Sequence, residues 1–344
     1  MTSSSSSSRS RDRNRSRDLL LRIWPSLFFV TMFAAFAIAA WVKVGANMLG
    51  VRSVQGILLF TTLILLLAAA ETFVILTAGI DLSVGFILGF ASVTSAVAMR
   101  GMANANWPAV IVVVGGLFVA VAIGAVSGLA NGLLVAKVGV PSFIATLGMG
   151  GVVFGLALLV SGGSPVAGLP SYIGKLGNSY VFGESRVIPY QVVATAVVIG
   201  AVWFILAKTQ FGRHVYAFGG NAEAAKRAGI NVDVLNIKVY TLAGMLAGFG
   251  GLLFTLRFAT GNARAGETLL LTSIAAVVIG GASLFGGEGR MFGTIMGALT
   301  VATIDFGLVI LGVEPYWQWI AVGLVVILSV IVDQMGAKQR ANAI

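Results

Sequence analysis

KTQFGRHVYAFGGNAEAAKRAGINVDVLNIK, residues 208–238, is the longest polar interruption in a very apolar chain. Its middle has the marks of a short helix. Asn221 is placed to N-cap it, offering a side-chain oxygen to free backbone N–H groups. Glu223 falls in the first turn and Lys226 and Arg227 in the last, the distribution that the helix dipole favours. Glu223 and Arg227 stand four apart and can pair. Gly229 suits the left-handed position that ends a helix. A helix of about two turns is not stable alone in water. The rest of the chain or a partner must hold it.

The composition on either side of this stretch defines the class. Of 344 residues, 58% are hydrophobic and 10% charged, with a mean hydropathy of +0.98. Soluble domains carry about 25% charged residues, so the sequence predicts an all-α integral membrane protein. Ten apolar stretches, at roughly 23–42, 56–78, 82–99, 108–135, 141–160, 188–207, 238–257, 268–285, 291–312 and 315–332, approach the length of about 20 residues that spans a bilayer. About ten transmembrane helices follow, with both termini on one side. Seven of the 22 Lys and Arg (Lys43, Arg52, Arg100, Lys175, Arg186, Arg257 and Arg264) fall on the opposite side, and 15 share the side of the termini and of 208–238. The positive-inside rule therefore places the termini and that loop in the cytoplasm.

Residues 1–22, with serines 3–8 and six arginines, form a basic low-complexity tail expected to be disordered. It serves either as a topology anchor or as a contact to anionic membrane lipid. The span region is 23–333, followed by a cytoplasmic tail at 334–344. Residues 161–187 form an external loop rich in Pro, Gly, Ser and aromatics, read as a surface loop or a partial re-entrant helix. The net charge of +10 lies largely beside the spans, so no nucleic-acid partner is implied. No cleaved signal peptide is evident.

Three glycine ladders at four-residue spacing, Gly124/Gly128/Gly132, Gly244/Gly248 and Gly289/Gly293/Gly297, allow tight helix crossings. They are read as packing within one chain rather than as a dimer face. Residues 55–161 and 238–333 form two weak internal half-repeats, each with a Gly-rich break, at 77–85 and 280–293.

Few ionisable groups fall within spans. Asp81 either N-caps a helix beginning at Leu82 or takes part in transport. Glu71 and Asp305 are either structurally paired or line a pathway, and Gln55 and Asn131 are further lining candidates. The chain has no cysteine and one histidine, so neither a metal cluster nor a Ser/His/Asp arrangement is readable. No GxxxxGK[ST] loop occurs. GGEGRMFG, residues 286–293, joins two apolar spans and is read as a tight turn. The chain is expected not to be an enzyme, and to bind no cofactor and no metal.

Four longer stretches carry a resemblance: TAGIDLSVGFILGFASVTSAV (77–97), PSFIATLGMGGVVFGLALLVSGG (141–163), FGGNAEAAKRAGINVDVLNIKVYTLAGMLAGFGGLL (218–253) and GGASLFGGEGRMFGTIMGALTVATID (280–305). In this order and spacing, from about 50 to 333, the chain resembles the membrane permease of ribose-type ABC sugar importers. The basic tail lies outside the resemblance. The resemblance implies a multi-pass subunit of a bacterial inner membrane that pairs with a second permease subunit, identical or related. It implies a cytoplasmic ATP-binding subunit that holds the ATP and Mg, and a periplasmic sugar-binding protein. It also implies that Asn221, Glu223, Ala224, Ala225, Arg227, Ala228 and Gly229 form the coupling element that docks on the ATPase. The cargo would be a ribose-like monosaccharide. The alternatives are another small polar solute such as an amino acid, an ion-coupled secondary carrier, or a membrane scaffold without transport.

Overall fold

The computed structural model describes residues 5–181 and 188–314, together with 316, 317, 319, 320, 323, 324 and 327, with side chains from residue 23 onward. Almost all of it is helix. The elements in order are α1 (Ser5–Val44), α2 (Val51–Leu76), α3 (Val84–Asn104), α4 (Ala109–Leu133, extended by a π turn over Leu134–Val138), α5 (Ser142–Ser161), α6 (Ser171–Gly177), α7 (Tyr190–Lys208), α8 (Gln210–Gly220), α9 (Ala222–Arg227), α10 (Val232–Phe258), α11 (Glu267–Ile279) and α12 (Met291–Ile310). The two-residue strands β1 (Tyr180–Val181) and β2 (Ile188–Pro189) pair antiparallel between α6 and α7.

Among the described residues, eight helices are long and apolar enough to cross a membrane. They are α2, α3, α5, α7, α10 and α12, the Ile23–Val44 part of α1, and α4 with its π extension. The chain is an all-α membrane protein. The apolar stretch at 315–332 falls mainly outside the described residues. The α1 backbone runs back through 5–22, where the composition predicts disorder. Extending a helix already nucleated by an apolar span costs little.

One expected span is built differently. The stretch at 268–285 reads as a full crossing, yet α11 has only 13 residues, about 20 Å of helix against a core of about 30 Å. The segment that leads into it is non-helical, a bridge at Gly261 followed by turns over 263–266. Residues 260–266 run down the face of α3. A methyl at Gly261 would meet Ala96 and the Ser92 carbonyl, one at Gly89 the Ala263 carbonyl, and one at Gly85 the Gly266 carbonyl. Ser92 Oγ accepts from the Asn262 backbone N–H at 3.2 Å. Non-helical backbone at membrane depth is tolerated where protein encloses it, and the small residues of α3 make that room.

The core is centred on α2, whose residues from Thr61 to Leu76 are all buried. Helices α10, α11 and α12 pack around it, and α3 and α4 pack on α10. The tightest seam joins α4 and α10. Gly124, Gly128 and Gly132 sit against Gly244, Tyr240, Gly248 and Ile237 so closely that a methyl at any of the three would overlap partner backbone. Gly293 and Gly297 do the same against Gly280 and Ala276 at the C-terminal end of α11. All three ladders therefore pack inside the chain. Outward faces of α4, α5 and α7 expose Val, Leu, Ile and Phe, as lipid-facing surfaces should.

Contacts between connections sort them into two ends. Val166 pairs with Gly261, Arg100 donates to the Ala167 carbonyl at 3.2 Å, and Asn178 donates to the Arg257 carbonyl at 2.9 Å. Those segments share one end. The α2–α3 break, α8, α9 and the α11–α12 turn share the other.

Candidate functional site

Helix α9 is built by its caps. Asn221 is extended (φ −160°, ψ 101°) and its Oδ1 accepts from the Ala224 backbone N–H at 2.9 Å. At the other end Gly229 has φ +85°, and Ile230 N–H donates back to the Ala225 carbonyl at 3.1 Å. This ties off carbonyls that a helix end leaves free. Glu223, Lys226 and Arg227 occupy the expected turns. The Glu223–Arg227 ion pair is not made; among the described residues the ion pair is Lys137–Asp233 at 2.8 Å. Both side chains of the unmade pair stand in solvent, where holding two long side chains together gains little. From Asn221 to Gly229 only Ala225 is buried. The chain thus anchors α9 by one methyl and leaves Ala222, Ala224 and Ala228 exposed as a small, smooth face.

Helix α8 joins that exposed piece to the membrane helices. Thr209 caps it, accepting from Gly212 N–H. Gly212 and Val215 are buried, and Phe211 stacks on Phe73 of α2 with centroids 6.0 Å apart. Tyr216 Oη donates to the Gly289 carbonyl at 2.9 Å. Burial raises the Tyr216 phenol above its ordinary pKa, opposed by the Arg290 charge, so the hydroxyl stays a neutral donor. Gly219 lies against the Leu76 carbonyl and the Gly287 N–H. Gly287 N–H itself donates to the Leu76 carbonyl at 3.0 Å. The two Gly-rich breaks, far apart in sequence, therefore meet each other beneath α8.

The α2–α3 break is also tied from its other side. Asp81 is fully buried and its Oδ1 accepts from the Ser83 N–H (2.8 Å) and Ser83 Oγ (2.6 Å). The helix starts at Val84, two residues later than expected, and Asp81 closes an Asx turn ahead of it rather than capping a helix at Leu82. Asn131 of α4 donates to Ser83 Oγ at 2.7 Å. Ser142 and Thr146 of α5 accept from the N–H groups of Ile80 (3.3 Å) and Leu82 (3.0 Å). The Tyr240 hydroxyl of α10 packs over Gly79. Helices α2, α3, α4, α5, α8 and α10 and the α11–α12 turn thus converge on residues 76–83.

The four lining candidates lie in different places. Glu71 and Asn131 are fully buried beside this break. Glu71 lies beside Asp81, its carboxylate near the Asp81 backbone N–H. Asp305 instead lines a cavity of about 400 Å³ between α2, α10, α11 and α12, with Phe60, Phe254, Arg257, Thr268 and Thr272. Arg257 donates to the Leu59 carbonyl at 3.1 Å and lies over the Phe60 and Phe258 rings. Gln55 is half-buried in the first turns of α2. Tyr216, Gly219 and the non-helical 260–266 segment carry no catalytic or ligand motif. The paired glycines at 219–220 beside a capping Asn were the one local signal.

A bundle of apolar helices with one broken crossing, two touching breaks and a capped helix displayed at one end is the architecture of a transporter's membrane subunit. The chain belongs to the permease family described as "Branched-chain amino acid transport system / permease component", which matches residues 53–330. It is 36% identical over 309 residues to the fructose import permease FrcC of Rhizobium meliloti, covering 88% of this chain and 84% of that one. It is 35% identical to the galactose/methyl galactoside import permease MglC of Escherichia coli K12 (83% and 88%). It is 40% identical to the ribose import permease RbsC of Bacillus subtilis (78% and 80%). No solved structure matches.

Proposed function

We propose that this chain is the membrane-spanning permease subunit of an ATP-driven importer in a bacterial inner membrane, and that its cargo is a monosaccharide. The similarity to fructose, galactose and ribose import permeases over most of the chain carries the cargo class. The partners are a cytoplasmic ATP-binding subunit that supplies ATP and Mg, a periplasmic sugar-binding protein on the external loops, and a second permease subunit. The observation that supports coupling is α9, which is fully capped yet held by a single buried side chain. Asn221, Glu223, Ala224, Ala225, Arg227, Ala228 and Gly229 form the piece that enters the ATPase. ATP binding there favours one of two states of the permease pair, a population shift set by differential partner binding. Asp305 and its cavity, with Gln55, contribute to the sugar's route, and Glu71, Asp81 and Asn131 hold the break that moves.

The test is reconstitution of the chain with its ATP-binding subunit in liposomes containing ATP and Mg, with the binding protein outside. ATP-dependent accumulation of labelled ribose, galactose or fructose is expected. Uptake driven by an ion gradient without the ATPase overturns the reading. The family description favours a second reading, an amino-acid cargo; accumulation of leucine and not of sugars in the same liposomes selects it.

A further inference from the structure

Docking α9 on an ATPase explains where force arrives and leaves open how it reaches two separate breaks. Three observations bear on that step. Gly219 packs so closely on the Leu76 carbonyl that no side chain fits between them. Gly287 N–H bonds the same Leu76 carbonyl, at 3.0 Å. Tyr216 Oη bonds the Gly289 carbonyl at 2.9 Å. The last carbonyl of α2, a helix-end group without an intrahelical partner, is thus shared between α8 and the α11–α12 turn. Gly220, the next residue, ends α8 with open space around its would-be Cβ.

We infer that α8 is a transmission arm, with Tyr216 and Gly219 as positioning residues that carry displacement of α9 to the α2–α3 and α11–α12 breaks together. This rests on the coupling reading above and adds the element behind the docking helix. The contacts are backbone-to-backbone, so they are short and stiff. Tyr216 is the side-chain link to the α11–α12 turn, beyond the reach of Gly219, while Phe211 stacks on Phe73 of α2. A packed arrangement of this kind switches between discrete positions rather than deforming smoothly.

The experiment compares wild type, Tyr216→Phe, Gly219→Ala and Gly220→Ala in complete complexes in liposomes. It reads complex assembly, basal ATPase, ATPase stimulated by the binding protein, and sugar taken up per ATP hydrolysed. Tyr216→Phe keeps the ring and loses only the hydroxyl, so uptake per ATP should fall about two- to tenfold, the effect of one hydrogen bond on an equilibrium. Assembly and basal ATPase should be unchanged. Gly219→Ala should uncouple more severely, and Gly220→Ala should match wild type. If Gly219→Ala does not assemble, Tyr216→Phe decides alone. An active wild type with unchanged uptake per ATP in Tyr216→Phe overturns the inference while leaving the permease reading intact. Loss of assembly in Tyr216→Phe overturns it too, because the hydroxyl would then serve docking. A wild type without ATP-dependent uptake overturns both.

Discussion

Replacing Gly128 by Ala should destabilise the chain, whereas the same change at Gly200 should not. Both glycines lie inside long helices, α4 and α7. In a helix interior Ala is favoured over Gly by up to about 1 kcal/mol. That gain is common to both sites and cancels when they are compared. The difference is what the new methyl meets. At Gly200 nothing lies within 4 Å. At Gly128 the methyl overlaps the Tyr240 carbonyl oxygen and comes within 3.1 Å of Gly244 Cα, both backbone atoms of α10 that cannot rotate away. The helices must part, and overpacking of this kind costs about 1–3 kcal/mol. Gly200→Ala should therefore be more stable than Gly128→Ala by about 1–3 kcal/mol. Unfolding in mixed micelles, followed by the fluorescence of the six tryptophans, measures it. If Gly128→Ala is as stable as Gly200→Ala, α4 and α10 are not in backbone contact and the seam is wrongly drawn.

Three smaller expectations follow from named contacts. Asn131→Ala removes the 2.7 Å bond to Ser83 Oγ, and a double-mutant cycle with Ser83→Ala should give a coupling of about 0.6 kcal/mol, the average for polar contacts in membrane bundles, and at most about 1.7 kcal/mol. The Lys137–Asp233 pair is more than two-fifths exposed on each side (57% and 45%), so a cycle with Lys137→Met and Asp233→Asn should give a coupling below about 1 kcal/mol that shrinks as salt is added. Asn221→Ala removes the α9 cap at a local cost of about 1 kcal/mol. Hydrogen exchange at Ala224 and Ala225 should speed up while amides of α10 stay protected.

How much of this was legible in the sequence follows from what each signal encodes. Long apolar runs report burial in lipid, and the eight long spans, the caps of α9 and the two breaks were all readable from residue type. The broken crossing at α11 was not. TLLLTSIAAVVIG is as apolar as a full helix, and hydropathy does not distinguish helix from non-helical backbone shielded by a neighbour. What makes room for the turn-rich 260–266 segment lies on another helix, in Gly85 and Gly89 of α3. Glu223 and Arg227 satisfied a spacing rule, but spacing says nothing of whether solvent competes for both charges. Asp81 was placed within two residues of its helix start, yet its burial depends on Asn131, Thr146 and Tyr240, far away in sequence. The contact of Leu76 with Gly219 and Gly287 is wholly tertiary, and no local pattern announces it.

The arrangement constrains how force from a docked partner would travel through this chain. On the coupling proposed above, force arriving at α9 would leave it in two directions along the backbone. Backwards it enters α8, which touches Leu76 and the 286–289 turn. Forwards it enters α10 at Val232, which the glycine seam fuses to α4. Asn131 sits on α4 three residues past Gly128 and holds Ser83, so the second route also ends at the α2–α3 break. The break is therefore reached from both sides, by backbone contact through α8 and by a buried hydrogen bond through α4. A rigid α4–α10 pair with a compliant non-helical break is the division that turns a small displacement into a change of helix angle, since helical stretches transmit movement and only the unwound residues 77–83 absorb changes in φ and ψ. Stiffening the break without touching α9 should then block transport while leaving ATPase docking intact. Softening the seam, as Gly128→Ala does, should waste ATP by letting α10 move without α4.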